Sequence, residues 1–409
     1  MTSSALVCLA CGESPPADTA VTCPACGGLL EVRHAPVSGG DLRALFDCRR
    51  RERTGISASG VWRFRELVLD VPDGAVVTYP EGDTPLLASR AVARWAGAPG
   101  LLLKHDGMNP TGSFKDRGMT VGVTRARQLG ARGVLCASTG NTAASLAAYA
   151  ALAGLPAVAV APNVGVAPGK VAQIVAHGAR MLLVPGDFDA CLRLVREAAE
   201  RLGLYLLNSV NPYRLEGQKT VAFEMLQELD WSPPDWIALP AGNLGNTAAV
   251  GAALLQARDL GLADRVPRIV AVQAAGAAPF ARSYATGFAQ RARVCASTVA
   301  SAIRIGDPAS YDRAVRAIRQ TDGVVTAVTD DEILEAKAAV DGAGVGCEPA
   351  SAASVAGVRR LVQDGVIGPE ARVVAVLTGH LLKDPTVVGS GNEPVEIEAS
   401  VEAVERAVG

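Results

Sequence analysis

From residue 134 onward the chain alternates short β-branched or apolar runs with longer Ala/Leu/Val segments of helical period, punctuated by Gly and Pro. The runs 134–137, 157–161, 181–184, 236–239, 269–273, 324–328 and 373–377 read as strands, and 143–153, 170–177, 188–202, 215–229, 247–260, 331–340 and 350–361 as helices. Strands that return after a helix pair in parallel and are covered on both faces. The expected fold class is therefore α/β, with open parallel sheets and crossover helices. No short internal repeat or low-complexity tract interrupts this rhythm.

At 409 residues the chain is too long for one small core, so two or three folding units are expected. Hydrophobic residues make up 49% and charged residues 20%, a balance that argues against disorder over most of the length. The formal net charge of −2 offers no electrostatic reason for a nucleic-acid partner, so any anion site must be local. The N-terminus lacks a basic stretch followed by an apolar core, and the most apolar helical run, 143–155, is far shorter than the roughly 20 residues that span a bilayer. These features predict a cytoplasmic protein with no membrane partner.

Four of the nine cysteines form two tight pairs, Cys8-Leu9-Ala10-Cys11 and Cys23-Pro24-Ala25-Cys26, each followed by a glycine. This is zinc-ribbon spacing, which brings Cys8, Cys11, Cys23 and Cys26 to the corners of a tetrahedron in a closed, structural site. A redox dithiol module, or one that has lost its metal, is the competing reading. His34 is a poor ligand because four thiolates complete the set. Residues 1–33 contain only Arg33 as a basic residue, so the ribbon reads as a folding or docking cap. Residues 34–60, with Pro36, Gly39, Gly40, Gly55, Gly60 and a charged run at 49–53, read as a linker with one short helix.

The chemistry is expected at loops leaving the carboxyl ends of strands, where ligands gather in open parallel sheets. Three such loops stand out: Ser138-Thr139-Gly140-Asn141-Thr142, Gly242-Asn243-Leu244-Gly245-Asn246 and Thr378-Gly379-His380. The first presents amides and hydroxyls at a helix start, the second can close backbone N–H groups on a phosphate, and the third carries a hydroxyl to the sheet edge. Singly, each is also an ordinary turn or N-cap. The segment Pro110-Thr111-Gly112-Ser113-Phe114-Lys115-Asp116-Arg117-Gly118 adds a lysine at a helix start, where desolvation and positive potential can depress its pKa, with Phe114 as a dry wall. Alone, Lys115 beside Asp116 reads equally as a solvated surface lysine. No G-x-G-x-x-G follows a strand, and Gly342-Ala343-Gly344-Val345-Gly346 has the wrong spacing for a dinucleotide fingerprint.

Taken together, the lysine segment, Ser138–Thr142, Gly242–Asn246 and Thr378-Gly-His-Leu-Leu-Lys-Asp-Pro385 resemble the motif set of the threonine synthase family, within the fold type II (tryptophan synthase β-like) pyridoxal-phosphate enzymes. The resemblance runs in order from about Gly82 to Pro385. More specific to the family are Asn208-Ser-Val-Asn-Pro-Tyr-Arg214 and Ile303-Arg-Ile-Gly-Asp-Pro308. It implies two open parallel-sheet subdomains in a catalytic unit spanning 61–395: a small one at about 119–215, and a large one at about 61–118 plus 216–395, followed by a tail at 396–409.

The same resemblance implies pyridoxal 5'-phosphate and structural Zn2+ as cofactors, an amino-acid substrate and a homodimer. Lys115 becomes the catalytic lysine that bonds the cofactor, beside Phe114. Asn141 partners the ring's phenolic oxygen, Gly242, Asn243, Leu244, Gly245 and Asn246 hold its phosphate, and Thr378 meets the pyridine nitrogen. A threonine there, unlike an aspartate, suits elimination and replacement better than transamination. The substrate's own phosphate would lie among Thr142, Asn208, Ser209, Arg214 and Asn246, with Lys104 nearby.

The implied reaction turns O-phospho-L-homoserine and water into L-threonine and phosphate. A related lyase or replacement enzyme is the alternative, whether a threonine or serine dehydratase or a paralogue acting on O-phosphoserine or a phosphonate amino acid. Arg214 separates these readings, because an unphosphorylated substrate has no use for a guanidinium fork. Two departures bear on the substrate: Leu381 stands where the family has Gly, and Asp83 where it has Asn. A leucine resists backbone angles open to glycine, so the loop carrying Thr378 is expected to differ. His177 and His380 read as capping and packing residues, and the role of Glu348 stays open.

Overall fold

The computed structural model describes residues 4–16, 19–35, 37, 40–163, 168–385 and 395–408. Pro36 and Gly39 of the expected linker lie outside them. An antiparallel hairpin, β1 (Ala5–Cys8) with β2 (Leu30–Arg33), frames the two cysteine knuckles. Helix α1 (Leu42–Arg50) follows, with the Asp41 carboxylate accepting from the Ala44 N–H as its N-cap. Then come β3 (Leu86–Ala88), α2 (Arg90–Ala96), β4 (Leu101–His105) and α3 (Lys115–Gln128).

The next stretch builds the smaller sheet: β5 (Val134–Ala137), α4 (Asn141–Ala153), β6 (Ala157–Pro162), α5 (Pro168–Ala176), β7 (Arg180–Val184), α6 (Phe188–Leu202) and β8 (Tyr205–Leu206). Its four strands run in the order β7-β6-β5-β8, all parallel. The chain then passes through α7 (Pro212–Glu228), β9 (Trp236–Pro240), α8 (Gly245–Asp259), β10 (Arg268–Ala274), α9 (Pro279–Tyr284), α10 (Tyr311–Gln320) and β11 (Val324–Val328). It finishes with α11 (Asp330–Gly342), α12 (Pro349–Gln363), β12 (Val373–Leu377) and α13 (Val401–Val408).

These elements complete a six-stranded sheet ordered β11-β10-β9-β12-β4-β3, parallel except for the short edge strand β3. Strands β9 and β12 are buried at every position, as a sheet covered on both faces requires. The sequence pattern passes over β1 to β4, β8, α2, α9, α10 and α13. Strand β4 escapes it because Leu101-Leu-Leu-Lys-His105 ends in two polar residues that are nonetheless buried.

Between the sheets, α3 packs on α7 closely enough that a Cβ at Gly217 would lie 1.7 Å from the Arg117 carbonyl oxygen. An ion-pair cluster fills that junction. Arg117 of α3 donates to Asp106 at 2.7 and 2.9 Å and to Glu224 of α7 at 2.7 and 2.8 Å, all three fully buried. Lys104 of β4 joins it, bonding Thr84 O at 2.6 Å and pairing with Glu224 at 2.9 Å and Glu228 at 2.7 Å. The hairpin docks on the outside of α7 and α10: its Leu6, Leu30 and Val32 belong to the same apolar core as Tyr213 and Tyr311. His34 meets Glu216 of α7 at 2.5 Å. Among the described residues no helix is long and apolar enough to cross a membrane.

Candidate active site

Strand adjacency assembles the site. In the large sheet β12 lies between β4 and β9, all parallel, so the loops after each emerge at one edge. The loop after β4 leads to Lys115, that after β12 carries Thr378, and that after β9 carries 242–246. The first two are stitched together: Ser113 and Gly379 form an isolated antiparallel bridge, and the Phe114 N–H donates to Thr378 O at 2.9 Å. The loop at 138–142 arrives from the facing sheet, where it leads from β5 into α4.

Lys115 is the first residue of α3, and its Nζ lies 4.0 Å from the Phe114 ring centroid. Asp116 does not pair with it. That carboxylate turns away, accepting from Thr111 N at 2.7 Å, Thr111 Oγ1 at 2.5 Å and Ser145 Oγ at 2.5 Å. Burial drives the Lys115 ammonium down to about 7, the Arg214 charge adds to the effect, and Glu348 opposes it. The Asp116 partner of the solvated-lysine alternative is thus engaged elsewhere, while Lys115 itself is half-buried. The amine is close to half neutral at pH 7, a condition for acting as nucleophile or base.

Arg214, the third residue of α7, is 1% exposed. The Asn211 side chain caps the helix by accepting from the N–H groups of Tyr213 and Arg214 at 3.0 and 3.3 Å. Its guanidinium makes one bond, Nη1 to Leu207 O at 3.1 Å, while Nε and Nη2 are buried with no acceptor among the described residues. Gly118 and Gly122 give it room: Cβ atoms there would come within 2.9 Å of Arg214 O and 3.3 Å of its Cγ. Burial lowers its pKa to about 10. A buried charge with idle donors is costly, and here they sit within electrostatic reach of Lys115.

The 242–246 loop has the same unfinished character. Leu244 adopts φ 64, the left-handed geometry that turns successive N–H groups to one side, and α8 begins at Gly245. Both side-chain amide atoms of Asn246 are buried without partners among the described residues, as are Thr247 Oγ1 and Ser310 Oγ. A Cβ on Gly242 would meet Ile303 Cα at 2.9 Å, so a glycine is required there. The Asn243 side chain accepts from Ala309 N at 3.2 Å and braces the loop. Opposite, the Thr378 hydroxyl is buried 3.1 Å from Ser351 Oγ.

Glu348, N-cap of α12, is the residue whose role the sequence leaves open. The Asn141 amide donates to both its oxygens, at 3.1 and 3.3 Å. A Cβ on Gly379 would come within 2.4 Å of the carboxyl, so this glycine makes its place. Burial raises its pKa, against the Asn141 hydrogen bond and the charges of Lys383 and Lys115. Lys383 itself donates to Gln173 Oε1 at 2.7 Å and Thr111 O at 3.0 Å, tying α5 to the lysine loop. Lys383 belongs to the closing Lys-Asp-Pro385 of the family motif, which assigns it no role, and the only sequence signal for Ser351 is its place three residues after Glu348.

Two expectations change. Lys104 does not reach the phosphate region, because its three acceptors are Thr84 O, Glu224 and Glu228 in the ion-pair core. Asn208 spends its amide on the end of β5, accepting from Ala137 N at 3.0 Å and donating to Ala137 O at 3.1 Å, and so clasps that strand. Leu381 opens a 3-10 turn, Leu381–Lys383, has no positive φ, and covers Gly346. Asp83 does sit at φ 48, with its carboxylate on Arg63 at 2.7 Å and its N–H donating to Glu224 at 2.7 Å. Thr142 and Ser209 lie at the small-sheet side of the same space, partly exposed.

Residues 77–379 match the family model of the pyridoxal-phosphate dependent enzymes. The threonine synthase of Methanosarcina acetivorans is 45% identical over 407 residues, 98% of each chain, and that of Methanocaldococcus jannaschii is 41% identical over 406 residues, again 98% of each. The chain belongs to the threonine synthase family. Among solved structures, the threonine synthase of Escherichia coli superposes with TM-score 0.69 at 21% identity, covering 95% of this chain and 90% of that one. The threonine deaminase isoform 2 of Solanum lycopersicum gives 0.66 at 22% identity, covering 87% and 96%. These two likenesses establish the α/β fold of the type II enzymes. Membership of the threonine synthase family makes the chain a pyridoxal-phosphate-dependent enzyme acting as a lyase.

The donor set fits that cofactor. A phosphate suits the Asn246, Thr247 and Ser310 orphans over the left-handed turn, and an aldehyde suits the half-neutral Lys115 amine. At the N-terminal hairpin, the four Sγ atoms of Cys8, Cys11, Cys23 and Cys26 lie within 4.8 Å of one another, with nearest separations of 3.5 to 3.7 Å. Four sulfurs at about 2.3 Å around one tetrahedral zinc stand about 3.8 Å apart. The thiols are therefore spaced to hold one.

Proposed function

We propose that the enzyme converts O-phospho-L-homoserine and water into L-threonine and phosphate, and the observation that carries this reading is the buried, two-thirds idle guanidinium of Arg214 beside Lys115. Pyridoxal phosphate, when bound through Lys115, supplies the electron sink that acidifies substrate protons. Gly242 to Asn246 would hold its phosphate, Asn141 its phenolic oxygen and Thr378 its pyridine nitrogen. Arg214 offers Nε and Nη2 to the substrate phosphate, with Thr142, Ser209 and Asn246 around it, and Asn208 fixes the strand end that carries this group.

Freed when the substrate's amine takes its place on the cofactor, the neutral Lys115 amine would take the proton from Cα and could then shuttle protons at Cβ and Cγ. Phosphate departs from Cγ into the Arg214 pocket, water adds at Cβ, and a proton returns to Cα. Phe114 keeps bulk water from the amine. The four ribbon thiolates hold structural zinc, and chelation is expected to lower the thermal stability of residues 1–33 without bleaching the bound cofactor. A homodimeric, cytoplasmic enzyme completes the reading.

A dehydratase for plain serine or threonine would leave Arg214 buried and unspent. The test offers the purified holoenzyme O-phospho-L-homoserine, with O-phosphoserine, serine and threonine in parallel. Threonine and phosphate in equal amounts from the first alone are expected. Turnover confined to an unphosphorylated amino acid would overturn the assignment.

A further inference from the structure

Where the hairpin meets the catalytic unit, two adjoining clefts of about 310 and 390 Å³ run between β2, α7, α8 and α10. Both are lined by His34, Ala248, Ala252, Gln256, Arg313 and Arg316. That volume is in the range of small-molecule sites. Neither cleft touches the loops that carry Lys115 and Thr378.

The charges along the seam are nearly all spent on one another. Glu216 takes both His34 and Lys219, each at 2.5 Å, Arg316 pairs with Glu31, and Asp259 with Arg258 at 2.7 Å. Arg33 at the rim is exposed, and among the buried charges Arg313 is the exception. It is 3% exposed and gives Nη2 to the Leu30 carbonyl, while Nε and Nη1 have no acceptor among the described residues. Burial lowers its pKa to about 10, despite Glu31 and Glu216 nearby. Nη2 has a second hydrogen beyond the one given to Leu30, so the end-on edge of Nη1 and Nη2 has the shape to receive a planar carboxylate. Facing it, Ala248, Ala252 and Leu255 repeat at helical spacing along α8 and, with Leu260, make an apolar wall.

We infer that this seam is a second ligand site, which takes a small aliphatic monocarboxylate with its oxygens on Arg313 and its hydrocarbon body on Ala248, Ala252 and Leu255. One buried unspent positive charge sets one anionic group, and the small α8 side chains leave room for a short branched chain. The walls of the site are the outer faces of α7 and α8. The same helices begin at the Arg214 and Asn246 region, so an occupant touches the elements that carry the catalytic phosphate groups without entering that space.

The test is isothermal titration of the holoenzyme with 3-methylbutanoate, which has neither the amine nor the phosphate that the catalytic site recognises, and with 3-methylbutan-1-ol as the uncharged match. Saturable binding of one carboxylate per chain, with none of the alcohol, is expected. Arg313→Gln should weaken it at least tenfold. Because that change also loosens the Leu30 contact, Ala252→Trp provides a second arm: it fills the cleft, leaves every charge in place and should abolish binding. Arg214→Ala should leave binding unchanged. Absence of binding at millimolar carboxylate, or binding that survives Ala252→Trp and disappears in Arg214→Ala, would overturn the site.

Discussion

Arg117 and Arg214 are both fully buried, both border the α3–α7 contact, and they do opposite things. Arg117 has an acceptor for each guanidinium nitrogen, from Asp106, Glu224, Thr84 and Thr220, and these partners hold its pKa well above the ordinary arginine value despite burial. Arg214 has one backbone carbonyl, and burial pulls it down to about 10. Burial therefore does not distinguish a structural cation from a binding one; the count of satisfied donors does. Lys104 falls on the Arg117 side of that line and Lys115 on the Arg214 side.

The largest effects should come from crossing it. Lys115→Ala is expected to remove turnover altogether, since one positioned base alone contributes about 10²–10⁴-fold. The variant should keep its far-ultraviolet circular dichroism and hold no cofactor after borohydride treatment. Arg117→Met, by contrast, leaves Asp106 an uncompensated buried charge and strips Glu224 of all but its Lys104 and Arg63 ion-pair partners, and should cost about 3–5 kcal/mol in a denaturant titration. Next comes Arg214→Ala, which removes charge-assisted bonds worth about 1.5–3 kcal/mol each. Its kcat/KM on O-phospho-L-homoserine should fall by about 10²-fold or more, with the denaturation midpoint unchanged or raised. If Arg214→Ala unfolds the protein as Arg117→Met does, the distinction collapses.

Lys104→Met sharpens the same contrast. It should destabilise the fold by about 3 kcal/mol through Glu224 and Glu228 while leaving KM for the phosphorylated substrate unchanged. A raised KM with unaltered stability would return Lys104 to the phosphate pocket. The smallest effect is in pH. Because the Lys115 pKa is depressed to about 7, its free-amine fraction falls tenfold for each pH unit below that value and levels off above it. Cofactor capture by the apo-protein, followed by absorbance, should track this curve. Arg214→Ala removes a repelling charge and should shift the midpoint upward.

The sequence carries the sheets and the four loops well, because a covered parallel strand is a continuous apolar run and a phosphate turn needs glycine at set places. It carries the ion-pair core poorly. Lys104 looks like a free cation beside a motif, and only the register of β4 against β12, with Glu224 arriving from α7, shows that it is consumed. Leu381 is a related case: the residue type alone does not give its backbone angles, and the structure shows it without a positive φ. Asn208 is legible as part of a motif, but its clasp on Ala137 depends on a strand 71 residues away. Long-range partnership is what a single sequence withholds, and it is the same property that separates Arg117 from Arg214.

The most direct test of that separation is the inhibition constant of inorganic phosphate, the product, on the wild-type enzyme and on Arg214→Ala. A rise of at least tenfold in the variant, with the cofactor spectrum intact, is expected if the idle guanidinium holds the leaving phosphate. An inhibition constant that does not move would contradict the account.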